Sequence, residues 1–130
     1  MRIYYFEKPL TDDDLDFVQD TFSLDEKPEQ VRIPYLLPLI GDGPIDSMAR
    51  TQHSEILRGY IRRAGMKQDG TQPILVAPSQ MYWHTMLTLA VYEEIGLLPY
   101  IVQTEEQRSA IGNPGSIRIL DAHGLSGFKD

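Results

Sequence analysis

Apolar and polar positions follow two different periods along this chain, and the places where the period changes mark the elements. Residues 2–6 (RIYYF) are short, aromatic and β-branched, and Pro9 ends the run, so they read as a strand. Thr11 then stands as a helix N-cap with Asp14 in the capping-box position. Leu15, Val18 and Phe22 follow it at helical spacing. A second strand is expected over 31–40. Pro34 and Pro38 each remove a ladder donor from it, so it belongs at an edge or is interrupted. Gly41-Asp42-Gly43-Pro44 is a turn. Beyond it Ile45, Met48, Ala49, Ile56, Leu57, Tyr60, Ile61 and Ala64 recur at three and four, predicting a helix that stops at Gly65.

After a turn at Asp69-Gly70, residues 74–77 form a continuous apolar run of the kind found in a strand buried on both faces. Ser79 can cap the next helix, which runs to about Ile95 and closes on Gly96. Residues 99–103 and 117–120 give two more strands, with Gly112-Asn113-Pro114-Gly115 looping between them. Alternating strands and helices predict an α/β fold: a Rossmann-like, mostly parallel sheet flanked by helices, ending in an antiparallel pair. With 130 residues and no linker or repeat, the chain is expected to be a single domain spanning 1–130.

Composition narrows the chemistry. There is no cysteine, which removes disulfides, thiol catalysis and cysteine-based zinc sites. No run reaches the 18 or so apolar residues of a membrane span, and the start lacks a basic segment leading into an apolar stretch. A cytoplasmic protein with no membrane partner is expected. Nineteen acids against twelve bases give a net charge of −7, which disfavours a grip on long nucleic acid but leaves room for a small anion in a local site. Residues 1–30 are strongly acidic and 50–67 basic, with Arg50, Arg58, Arg62, Arg63 and Lys67. The readings are solvated helix faces of opposite sign, or else self-association or a basic rim beside an anion site.

Open parallel sheets bind ligands beyond the carboxyl ends of their strands, where strand order reverses. Four loops qualify. They are Glu7-Lys8-Pro9, Ile40-Gly41-Asp42-Gly43, Pro78-Ser79-Gln80-Met81-Tyr82 and Gln103-Thr104. In the third, a buried strand runs straight into a helix whose first amides have no intrahelical partner, an arrangement suited to phosphate. Ser79 and Gln80 add hydrogen bonds, while Tyr82 and Trp83 offer flat faces for a base. The alternative is that Ser79 only caps and the aromatics only pack. Neither GxGxxG nor GxxxxGK[ST] occurs, which excludes the standard nucleotide loops, and Gly41-x-Gly43 by itself is commonly a plain turn. No cofactor is implied.

The helix from Met81 to Ile95 is apolar around most of its circumference, more than one sheet-facing stripe requires. A homodimer through this helix is therefore expected, unless the neighbouring helix covers it. His53 lies on the stripe Ala49–His53–Ile56–Tyr60 and reads as a satisfied, half-buried histidine. His84 sits one turn past the third loop, within reach of a bound phosphate, and His123 forms an Asp-x-His pair with Asp121. These two are the candidate general bases. No histidine or carboxylate cluster has metal spacing, and no GxSxG elbow is present.

The strand leading into Lys8-Pro9-Leu10-Thr11 and an acidic helix, the apolar strand ending at Pro78, and Ile95-Gly96-Leu97-Leu98-Pro99-Tyr100-Ile101-Val102 are similar to a known arrangement. Together with the closing strand they resemble the small stand-alone CRISPR-associated Rossmann-fold (CARF-like) proteins that accompany type III CRISPR systems. The order matches over most of the chain, on short motifs. Lys8 stands where that group is expected to carry histidine, and Pro78-Ser79-Gln80 where a second proline or glycine is expected. The resemblance implies a dimer binding a cyclic oligoadenylate, cyclic tetra-adenylate first of all, across its two-fold axis, with further assembly on ligand binding as an extension. Amides after Pro78 would take phosphate, Lys8 would add charge, Tyr82 would stack, and Arg50 would reach in from the rim. Sequestration of the messenger, which dampens antiviral signalling, is the leading expectation. Metal-independent cleavage of the ring by a nuclease using His84 or His123 is the second, and a flavodoxin-like interaction module without nucleotide the third.

Overall fold

The computed structural model describes residues 2–6, 8–33, 46–66, 70–78, 81–110, 117–121 and 128–129. Ten elements follow one another among them: β1 (Arg2–Tyr5), α1 (Asp12–Thr21), β2 (Glu29–Arg32), α2 (Ser47–Arg63), β3 (Ile74–Val76), α3 (Met81–Ile95), β4 (Tyr100–Gln103), α4 (Glu105–Ala110), β5 (Arg118–Asp121) and β6 (Phe128–Lys129). The strands form one sheet in the order β2-β1-β3-β4-β5-β6. β2, β1, β3 and β4 are mutually parallel, while β5 and β6 each run antiparallel to the strand before them. This is a Rossmann-like α/β domain.

Helix ends are set by local chemistry. The Thr11 hydroxyl accepts the Asp14 amide at 3.3 Å, and Asp12, Asp13 and Asp14 crowd the first turn of α1, where the helix dipole favours negative charge. The Asp46 carboxylate caps α2 by accepting the Ala49 amide at 2.8 Å. Gly65 and Gly96, just beyond α2 and α3, hold φ of +83° and +79°, left-handed values that a side chain would oppose.

The period-two pattern of the strands divides the core into two layers. Tyr4, Leu75 and Ile101 face the side covered by α2 and α3, where Leu57, Ile61, Trp83, Leu87, Ala90, Val91 and Ile95 are buried. Ile3, Ile74, Val76, Val102 and Ile119 face the other side, with Leu15 and Val18 of α1. β3 is buried at every residue, as a continuous apolar run requires of a central parallel strand. Arg58 and Arg62 tie α2 to α3 through Glu93 and Glu94, with the Arg58 Nε to Glu94 Oε1 bond at 2.8 Å. That hydrogen bond, reinforced by the charges of Glu94, Glu93 and Glu55, raises the Arg58 pKa further against the effect of burial.

Three features depart from the expected pattern. The second strand starts at Glu29, two residues early, because the β1 ladder runs from Arg2↔Glu29 to Tyr5↔Arg32. It is the edge strand, one of the two outcomes expected; its expected continuation over 34–40, with both prolines, lies outside the described residues. A short helix, α4, stands where a plain loop was expected after β4, and β6 adds a sixth strand.

Candidate functional site

In this strand order the switch point lies between β1 and β3. α1 leads from β1 to its neighbour on one side, and α2 crosses to β3 on the other. The loops after β1, β3 and β4 therefore open at one end of the sheet. Lys8 and Pro9 lie there after β1, Pro78 after β3 and Thr104 after β4, and α3 begins there at Met81 and Tyr82. Gly41, Asp42, Gly43, Ser79, Gln80 and His123 lie outside the described residues.

The chain is anchored at Leu10, just after Lys8 and Pro9. Leu10 is buried, and its backbone is bracketed by the Gln30 side chain of β2. The Leu10 amide donates to Gln30 Oε1 at 2.7 Å, and Gln30 Nε2 donates to the Leu10 carbonyl at 3.2 Å. A single amide side chain thus serves as a strand partner where no strand exists. It fixes the segment that carries Lys8 and Pro9, both of which are exposed. Lys8 Nζ lies 3.5 Å from Glu106 Oε1 on α4.

At the start of α3, Tyr82 is half-buried and Trp83 is 3% exposed. Trp83 is therefore core, which corrects the expectation that it offers a face to a base. Its ring packs against His53 and edge-on to Tyr82, with centroids at 5.1 and 4.7 Å. The Tyr82 hydroxyl and His53 Nδ1 are hydrogen-bonded at 2.7 Å across the α2–α3 seam. His53 is the satisfied, half-buried histidine that its stripe predicted. Burial raises the Tyr82 pKa, and the charge of Arg50 opposes that rise, so Arg50 and Tyr82 act on each other electrostatically. Arg50 is exposed in the first turn of α2, with Nη2 3.3 Å from the Ser47 hydroxyl.

His84 is half-buried one residue beyond Trp83, and burial lowers its pKa below the ordinary 6.5. Burial thus favours the neutral imidazole, the form that accepts a proton and the form less useful for binding phosphate by charge. Among the described residues no group of three or more metal-ligating side chains is placed to hold an ion. No helix among them is long and apolar enough to cross a membrane.

Two residues of this edge escaped the sequence. Glu106 meets Lys8, and Arg108, 6% exposed, is buried on α4 with its amide bonded to the Thr104 carbonyl at 3.0 Å. The signal was Thr104-Glu105-Glu106-Gln107, a capping-box sequence, but six residues with little apolar content give no periodicity to detect. The basic segment also resolves in part: Arg58 and Arg62 pair within the chain, and Arg63 stacks over Tyr60 at 5.7 Å. α2 covers only part of α3, since Leu89 and Tyr92 remain about half exposed, at 48% and 49%.

Compared with known proteins, the chain matches no family model, no curated protein and no solved structure.

Proposed function

We propose that this protein binds and sequesters a cyclic oligoadenylate, with cyclic tetra-adenylate the preferred ring, and so dampens type III CRISPR antiviral signalling. The observation that carries the reading is the meeting at one sheet edge of three loops around the switch point. They bring together an exposed lysine after β1, the start of α3 with its half-buried Tyr82 after a fully buried β3, and Thr104 after β4, and Arg50 in the first turn of α2 acts on Tyr82 through its charge. Lys8 and Arg50 would take phosphate charge, the amides at the start of α3 would donate to phosphate oxygens, and Tyr82 would stack on adenine. A symmetric ring of four phosphates and four bases suits duplicated loops from two protomers, so the reading includes a homodimer and a cytoplasmic setting. The sequence resemblance to the CARF-like proteins supports the choice of ligand.

A second reading, cleavage of the same ring, is favoured by His84 in the first turn of α3, a half-buried imidazole whose pKa burial lowers. In that reaction a ribose 2′-oxygen forms a bond to the adjacent phosphorus as the bond to the 5′-oxygen breaks. The imidazole takes the 2′-proton, the 5′-oxygen leaves as a hydroxyl by taking a proton from water, and a 2′,3′-cyclic phosphate remains. The exposed apolar residues Met48, Leu89 and Tyr92 favour a third, an interaction module without nucleotide.

The experiment mixes the purified protein with cyclic tri-, tetra- and hexa-adenylate and follows a gel shift alongside chromatography of the extracted nucleotide. A shift with an intact ring establishes sequestration. Linear products establish a nuclease and make His84 and His123 the next substitutions. No shift with any ring refutes ring binding and leaves the interaction module.

A further inference from the structure

The Lys8–Glu106 pair joins two elements that are not neighbours. In the sheet β3 lies between β1 and β4, and Lys8 follows β1 while Glu106 is in the helix after β4. The pair thus reaches across the carboxyl end of β3, over two strand spacings or roughly 9–10 Å of sheet. That end is where Ala77 and Pro78 lead toward α3. Both side chains are 78% exposed, while both of their supports are fixed. The Lys8 loop is clamped by the Gln30–Leu10 bonds, and α4 is seated through buried Arg108.

We propose that this pair is a strap across the ligand edge, and that Glu106 is a specificity-determining residue competing with the anionic ligand for Lys8. The inference rests on the ring-binding reading, because it names how that edge selects its anion. A phosphate that reaches Lys8 comes within a few ångströms of the Glu106 carboxylate and is repelled until that side chain swings away. An exposed ion pair is weak, so a ligand with several phosphates opens the strap at little relative cost, while for a single phosphate the same cost is a larger share of its binding. Glu105, exposed beside Glu106, adds to the same negative guard. The chain therefore tests incoming anions by valence in addition to shape.

The test titrates wild type, Glu106→Gln, Lys8→Met and the double variant with cyclic tetra-adenylate and, separately, with inorganic tripolyphosphate, at low and at high ionic strength. Glu106→Gln should bind both probes about two- to fivefold more tightly at low salt, the scale of an exposed ion pair. The gain should fade in about 1 M salt, where screening acts over roughly 3 Å. It should also shrink in the Lys8→Met background, a coupling that independent surface charges would not show. Equal ring affinity in wild type and Glu106→Gln overturns the strap and leaves the ring reading standing. Tripolyphosphate binding that tightens in Glu106→Gln, with no ring binding by any variant, supports the strap and overturns the ring reading. No binding of either probe overturns both.

Discussion

Replacing Gln30 with methionine keeps the length of the side chain and removes both bonds that hold Leu10. The Leu10 amide loses a 2.7 Å acceptor and its carbonyl a 3.2 Å donor, at a residue only 5% exposed. A buried backbone group left unpaired costs about 1–3 kcal/mol. Water can reach the half-exposed side of Gln30, so the two losses together should come to about 2–3 kcal/mol rather than the full sum. That is a large share of the roughly 5–15 kcal/mol that holds such a domain folded. With a urea slope of about 1–3 kcal/mol per molar, the unfolding midpoint should fall by about 1–2 M. Equilibrium urea unfolding followed by circular dichroism checks this, and an unchanged slope shows that only stability moved. Gln30→Glu keeps the acceptor but sets a carboxylate against the Leu10 carbonyl, so it should be no more stable than Gln30→Met at neutral pH. A loss below about 0.5 kcal/mol in Gln30→Met, the range of ordinary surface changes, would refute the claim that this amide stands in for a strand.

Three further outcomes are expected. Leu57→Ala, at a fully buried position in the layer beneath α2, should cost about 2–5 kcal/mol in the same urea assay. His84 has a folded pKa below its unfolded 6.5, so the unfolded chain takes the proton first. Its contribution is therefore fully present above pH 6.5 and declines as pH falls toward the lowered folded value. Wild type should lose stability relative to His84→Gln between about pH 7 and pH 5, and a constant difference across that window counts against burial as the cause. Leu89→Glu, at a side chain 48% exposed on α3, should change monomer stability by less than about 0.5 kcal/mol while converting a dimer to a monomer on light scattering. A monomeric wild type ends the dimer expectation.

What the sequence determined by itself was whatever its local chemistry enforces. Thr11, Gly65 and Gly96 marked helix ends because caps and left-handed turns are properties of a few adjacent residues. The apolar run at 74–77 announced a strand buried on both faces, and alternating elements announced a parallel sheet, since parallel neighbours need a crossover connection, usually a helix. The half-buried state of His53 was legible from its stripe, although its partner Tyr82 was not. Tertiary structure alone decided the rest. Trp83 and Tyr82 are adjacent in sequence, yet packing against His53 closes one ring into the core and leaves the other half-open. Gln30 and Leu10 are twenty residues apart, and no local pattern announces that a strand's side-chain amide will satisfy a loop backbone. Lys8 and Glu106 meet only because strand order places β3 between the elements that carry them. Periodicity records which face of an element is buried; which residues meet across the end of a sheet depends on strand order, and that is settled only when the elements pack.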